Sequence, residues 1–473
     1  MNRGLSAPFA CALGFLIAAA TAGTAHGELT TSSGGSQPIP NMQPYLGINY
    51  LVRIQGGDIG EIKMFAGSFA PGSYALAQGQ LLSTSNTALF NALGTTYGGN
   101  GTTTFALPDL RSRTPIHLGQ GAGLSDWALG QQRGSDNTTL TVGNLPEHAH
   151  SLSGHPQPFT GPAGSGTSFP LWQPSLGLNH AIATQGNLPT AGGTGPFLGR
   201  MRMFAGTNGL PTGYIPANGQ LLATGSFTNL QSVLGNTYGG SASTFALPDL
   251  KGRTAMGVGG GAGLTARALG DMLGEESETI DFTEMPIHSH LLPYEPPIVD
   301  GTTGTAGSGP GDPIDLLQPS LALRYIIATQ GEFPTNTETI APESPMLGEI
   351  AMFAGIGDTA PAGWMFAEGQ TLSVSGNLAL ASILGVGFGG DATTFRLPDL
   401  RSRIPVGMGQ GVGLPNISRG EKSGVELTQL SLNNLPAHAH EFESIPEPGG
   451  ATLVLLGVMA PLLRRRRQAQ RCR

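Results

Sequence analysis

Six of the ten histidines in this chain stand in three H-x-H pairs: His148 and His150, His288 and His290, His438 and His440, closing the segments LPEHAH, MPIHSH and LPAHAH. On an extended strand, residues i and i+2 point to one side, so each pair presents two imidazoles together. Neutral imidazole is a ligand for zinc, iron, nickel or copper. Two histidines make a poor site, but three pairs supply six ligands. Two readings follow. In one, three H-x-H strands converge on a divalent transition metal (zinc or iron), contributed by three chains of a homotrimer or by three segments of one chain as a pseudo-trimer. In the other, Leu-Pro-x-His-x-His is a turn whose imidazoles bond to backbone and hold the end of a domain.

Other residues with chemical potential are less specific. Asp109, Asp249 and Asp399 follow a proline and precede Arg113, Arg253 and Arg403 by four residues. A carboxylate and an arginine can bind a sugar, but Pro-Asp also makes a side-chain-capped turn with the arginine as its partner. Trp127, Trp172 and Trp364 share no repeat position and define no repeated stacking platform. The patterns G-x-S-x-G, H-E-x-x-H and G-x-x-x-x-G-K-[ST] do not occur. The runs GQGAG at 119–123 and GGGAG at 259–263 lack a following lysine and read as turns. No acid is singled out for glycoside hydrolysis, so the expectation is a non-catalytic protein.

The elements that must position the histidines recur as well. KMFAG at 63–67 returns as RMFAG at 202–206 and AMFAG at 351–355; TFALPDL at 104–110 returns at 244–250 and, as TFRLPDL, at 394–400. The spacing between these markers and the H-x-H pairs is preserved, which means that each copy folds alike. Lead-ins QPYLGINY (43–50), QPSLGLNHAIATQG (173–186) and QPSLALRYIIATQG (318–331) open the copies, giving repeats at 43–150, 173–290 and 318–440. Gly/Ser/Thr/Pro stretches at 161–168 and 301–313 read as flexible linkers. Within a copy, GEIKMFAG alternates like a strand, and the turn after it predicts a hairpin with the run ending in GQ. Leu89 and Leu93, Leu230 and Leu234, Leu380 and Leu384, each followed by glycine, predict one short helix per copy.

The 473 residues are enough for about three domains. With 74 glycines and 11 % charged residues, the composition favours tight turns and short strands over an all-helical bundle. Setting aside Arg3 and the six arginines of 464–473 leaves 16 basic residues against 31 acidic ones, near −15, which opposes nucleic-acid binding. Residues 1–27 carry Arg3, an apolar run from Pro8 to Ala22 and small residues up to Gly27, the layout of a secretory signal. Cys11 and Cys472 are the only cysteines, so the body uses no disulfide. Residues 445–473 hold Ile445-Pro446-Glu447-Pro448, an apolar run from Ala451 to Leu463 and Arg464 to Arg467; the run can partly cross a bilayer with the arginines on the cytoplasmic side.

The motifs G-E-I-x-M-F-A-G, x-G-Q-x-L, N-x-x-L-x-x-[IV]-L-G-x-x-[YF]-G-G, T-F-x-L-P-D-L-[RK]-[SG]-R and L-P-x-H-x-H, in one order and three times over most of 43–440, resemble the phage tail collar domain family, including the bacterial microcystin-dependent proteins. Met285 departs from the closing leucine, and copy three reads LPNISRG where copy two reads LTARALG. The resemblance implies an α+β, β-rich fold of three tandem small modules with one short helix each, of the kind used in tail fibres and fibre-like surface proteins. It also implies that H-x-H pairs from three chains can share a metal, and it does not imply catalysis. The tail is similar to PEP-CTERM sorting signals, with Pro446, Glu447, Pro448 and Arg464, Arg465, Arg466 and Arg467 as the signal. That likeness implies an exosortase-type processing protease in a Gram-negative bacterium. The expected function is an exported, membrane- or surface-anchored structural or adhesive protein contacting extracellular polysaccharide or surface partners. A secreted polysaccharide hydrolase and a domesticated prophage fibre remnant are the alternatives.

Overall fold

The computed structural model describes residues 27–443 apart from 153–158, 191–195, 208, 293–301, 308–311 and 336–343. Each copy is built on one nine-residue strand, Tyr45–Arg53, Ser175–Ala183 or Ser320–Ala328. Residues such as YLGINYLVR are apolar on both faces, as a strand covered on both sides requires. The C-terminal half of this strand pairs antiparallel with Glu61–Phe65, Arg200–Phe204 or Glu349–Phe353 on one side, and with Tyr74–Leu76, Tyr214–Pro216 or Trp364–Phe366 on the other. The hairpin expected between those two short strands is therefore not formed. The long strand lies between them, with a backbone ladder on each of its edges, while the M-F-A-G strand gives its second edge to other copies.

The N-terminal half of each long strand pairs in parallel with a strand of another copy. Thr114–His117 joins Ser175–Leu178, Thr254–Gly257 joins Ser320–Leu323, and Ile404–Gly407 joins Tyr45–Ile48. Copy one is thus stitched to two, two to three and three back to one, a closed pseudo-threefold ring within one chain. Where the three copies meet, their M-F-A-G strands pair with one another through two-residue antiparallel ladders and close a triangle. All five residues of each of these strands are buried, the polar ones of GEIKMF included. The polar face meets the other two copies. Its charges pair across them: Lys63 Nζ lies 2.7 Å from Glu349, Arg200 bonds the other oxygen of Glu349, and Arg202 reaches Glu61 at 2.7 Å and Asp58 at 2.8 Å.

A second layer on the axis is a ring of buried glutamines. The Gln43 N–H donates to Gln173 Oε1 (3.1 Å), the Gln173 N–H to Gln318 Oε1 (3.2 Å) and the Gln318 N–H to Gln43 Oε1 (3.2 Å). Gly134, Gly274 and Gly424 abut this ring with positive φ, and a Cβ on any of them would lie 2.1–2.3 Å from the carbonyl oxygen of Gln173, Gln318 or Gln43. Beyond the glutamines lies an apolar layer drawn from all three copies, including Ile39, Phe169 and Ile314.

The predicted helices form at Thr87–Leu93, Thr228–Leu234 and Leu378–Leu384, with Gly94, Gly235 and Gly385 following at positive φ. The turn after each helix touches the next copy. Tyr97 Oη donates to the Ala205 carbonyl and Tyr238 Oη to that of Ala354, both at 2.8 Å. Copy three has Phe388 in this position and no hydroxyl. There Arg419, the residue that replaces leucine in its divergent LPNISRG segment, donates from Nη1 to the Ala66 carbonyl at 2.9 Å while lying over the Phe388 ring. The sequence departure is therefore a compensated exchange of donors. Arg419→Leu is expected to cost about 1–2 kcal/mol by orphaning a buried carbonyl, and Phe388→Tyr in that background to recover most of it in denaturant titrations.

Candidate metal centre

The Gly/Ser/Thr stretches expected to be free linkers are, where described, return segments that frame the histidines. The His148 N–H donates to the Ala163 carbonyl and the Ala163 N–H to that of His148; His288 and Ala306 do the same, as do His438 and Ser33. The third return segment is thus supplied by the N-terminal residues 30–33. Small residues are required here because the segment runs tight against the turn before the histidines: a Cβ on Gly164 would sit 2.4 Å from the Pro146 carbonyl oxygen. Thr160, Thr303 and Thr30 then accept, through Oγ1, the N–H of His150, His290 and His440 at 2.9–3.0 Å.

All six imidazoles meet on the axis, with neighbouring ring centroids 4.7–5.5 Å apart. Each Nδ1 donates to a backbone carbonyl. His148, His288 and His438 use those of Pro146 (2.9 Å), Pro286 (3.1 Å) and Pro436 (2.9 Å). His150, His290 and His440 reach across to Gly304 (2.8 Å), Thr31 (2.8 Å) and Gly161 (2.9 Å). A carbonyl only accepts, so Nδ1 carries the proton and every Nε2 is left as a bare lone pair. Three of these, on His150, His290 and His440, are buried with no hydrogen-bond partner. The other three crowd together: His438 Nε2 lies 3.2 Å from Nε2 of both His148 and His288. Two lone pairs at that distance repel unless a proton or a cation stands between them.

The geometry fits a cation. One ligand atom from each of His148, His150, His288, His438 and His440 falls within 4.8 Å of all the others, and His290 completes the ring set. A metal–nitrogen bond of about 2.1 Å gives an octahedron with edges of about 3.0 Å and diagonals of about 4.2 Å. Apolar layers seal both sides: Leu145, Met285 and Leu435 on the collar side, Leu152, Leu292 and Phe442 on the other. Met285 fills the place of the leucines, so its departure from the motif leaves the layer intact. Burial pulls His150 and His440 down to about 4 and His288 to about 3 against the hydrogen bonds to carbonyls, with neighbouring imidazoles adding to the depression; His148, His290 and His438 are lowered for the same reasons. The neutral form that a metal needs is the resting form.

The two sequence readings are therefore not exclusive, since one ring nitrogen serves the backbone and the other faces the axis. The remaining candidates are not gathered. In copies one and three the aspartate closes its own turn with the arginine two residues on, Arg111 gripping Asp109 at 2.8–2.9 Å and Arg401 gripping Asp399 at 2.9–3.1 Å, and in copy three Arg403, four residues on, adds an ion pair to Asp399 at 3.6 Å. In copy two Asp249 stands 3.9 Å from both Lys251 and Arg253. Trp127 and Trp172 pack edge to face inside an apolar cluster, and Trp364 is buried elsewhere. The sorting-signal residues Pro446, Glu447, Pro448 and Arg464–Arg467 lie outside the described residues, as do residues 1–26 of the leader. The threonines and carbonyls of the return segments were not anticipated, although LTTSSGGS (29–36), FTGPAGSG (159–166) and TTGTAGSG (302–309) repeat in the sequence. No curated protein and no solved structure matches the chain. The family model of the phage tail collar domain matches it three times, at residues 60–115, 199–255 and 348–405, each match spanning the M-F-A-G strand, the helix and the L-P-D-L turn, so that these three tandem segments are similar to the phage tail collar domain.

Proposed function

We propose that this is a non-catalytic, fibre-like structural protein, exported and held at a membrane by its C-terminal tail, whose three collar copies form one single-chain pseudo-trimer stapled by a divalent transition metal in a six-imidazole site. The observation that carries the metal is the set of Nε2 lone pairs, buried and convergent with no proton donor among the described residues. Zinc prefers four ligands in structural sites, so five ligand nitrogens within 4.8 Å of one another, with the His290 ring beside them, favour iron(II) over zinc. Export is supported by the leader-like residues 1–27, and anchoring by the apolar run 451–463 followed by Arg464–Arg467. Among the described residues no helix is long and apolar enough to cross a membrane.

Native mass spectrometry of the detergent-extracted chain with elemental analysis is the test. The expected species is one chain with one metal ion, iron above zinc when both are supplied. Three chains with three ions would replace the pseudo-trimer by a homotrimer. A metal-free chain indifferent to chelator and to added iron would reduce the histidines to packing.

A further inference from the structure

We infer that the histidine end of the molecule is an interaction surface whose partner is an uncharged, zwitterionic lipid bilayer, and that the collar lobes point away from it. This rests on the anchoring reading above. The first and last described residues are register partners: Gly27 faces Glu443, Glu28 faces Phe442 and Leu29 faces Glu441. That pairing continues the one between Ser33 and His438, so it lies on the far side of the histidine layer from the collar copies. Both apolar terminal segments, 8–22 and 451–463, therefore connect to the same edge of the same end. Whichever of the two is retained, the tether starts there.

Its length fixes the orientation. From Glu443 to Ala451 the chain reaches at most about 26–29 Å at 3.3–3.6 Å per residue. The long strands alone, which start beyond the glutamine ring and run away from the histidines, span about 30 Å. A tether this short cannot bring the opposite end of the molecule to the lipid.

The surface at the histidine end suits the task. Past the buried plug of Leu152, Leu292 and Phe442, one large apolar side chain from each third of the ring is exposed: Phe159 (57 %), Leu291 (58 %) and Leu29 (60 %). Single exposed apolar residues are ordinary, but three arranged about one axis at the tethered end add favourable contact with the interface. Exposed Glu441 stands opposite Leu29 and disfavours an anionic surface.

The experiment uses the full chain reconstituted into phosphatidylcholine vesicles, with Cys11→Ser and Cys472→Ser removing the native thiols. A fluorophore is placed at Phe159→Cys or at Leu188→Cys, the latter five residues past the far end of a long strand, and brominated phosphatidylcholine serves as quencher. Flotation with the vesicles and at least threefold stronger quenching at 159 than at 188 is expected. Flotation with equal or reversed quenching would overturn the orientation while leaving the anchor in place. Failure to float would remove the anchoring reading and this inference with it.

Discussion

Replacing His438 with alanine is expected to yield a chain that folds but no longer retains stoichiometric metal, and that unfolds at the temperature of the chelated parent. His438 is the choice because its Nε2 is 3.2 Å from two other ligand atoms, so its loss opens one side of the coordination set. The stabilisation forfeited is that of any ligand bound only by the native state: about 4 kcal/mol at a free metal concentration a thousandfold above Kd. For a chain of this size that is about 4–8 °C in the thermal midpoint. The physical source is loop closure, because the metal joins positions 140 and 150 residues apart and, through Thr31 and Ser33, fixes the N-terminal segment to copies two and three. A pH profile separates metal from packing. The folded histidines titrate below their unfolded value of about 6.5, down to about 4 for His150 and His440. The stability tied to their neutral form is therefore complete above about pH 6.5 and fades as pH falls toward 4. Bound metal should be released over the same window, and the His438→Ala chain should show a shallower fall. If parent and variant melt together with and without chelator, the six rings are a packed cluster and not a staple.

Much of this architecture is legible in the residues, for identifiable reasons. The helices are written locally, as two leucines four apart before a glycine, and they form where those residues stand. The H-x-H pairs are legible because a strand places i and i+2 on one side, and because a threefold repetition asks to be summed. What was hidden is whatever depends on another copy. The long strand takes its parallel partner from a neighbour, so the expected hairpin inside GEIKMFAG and the GQ run gave way to a three-strand arrangement centred on the lead-in. The return segments looked like linkers because glycine, serine and threonine are what linkers use; here the same residues are selected by close approach, as at Gly164, and by a threonine hydroxyl that accepts the second histidine N–H. A residue pattern states its own backbone preference, but it does not say which side chains from 140 residues away will cover it.

The second large effect is expected at Glu349. Its two oxygens hold Lys63 of copy one and Arg200 of copy two inside the strand triangle, and all three side chains are almost wholly buried. Burial pushes the Glu349 carboxyl up, but the two cations outweigh it and hold the group at about 2; the same carboxylate raises Lys63 above its ordinary value. Glu349→Ala strands two buried cations, an error of about 3–5 kcal/mol, read as a lower denaturant midpoint with unchanged slope. In the parent this contribution is complete above the unfolded carboxylate value of about 4.3 and fades as pH falls toward 2; the variant should lose that acid dependence. Replacing Lys63, Arg200 and Glu349 together by methionine should be close to neutral or stabilising, since a buried ion set rarely outperforms apolar packing. The value of the charges then lies in their arrangement. The equivalent positions read Glu and Lys in copy one, Arg and Arg in copy two, Glu and Ala in copy three, so copy two could not pack against two images of itself without burying six guanidinium groups. With Asp58 included, one of each copy brings three cations against three carboxylates, so the arginines of copy two are matched beside copies one and three, as they are when a single chain closes the ring. A triple-methionine chain that is as stable as the parent but exchanges copies between molecules on refolding, seen as dimers by native mass, would assign the network to partner choice; strict monomers would assign it to nothing beyond its own local pairing.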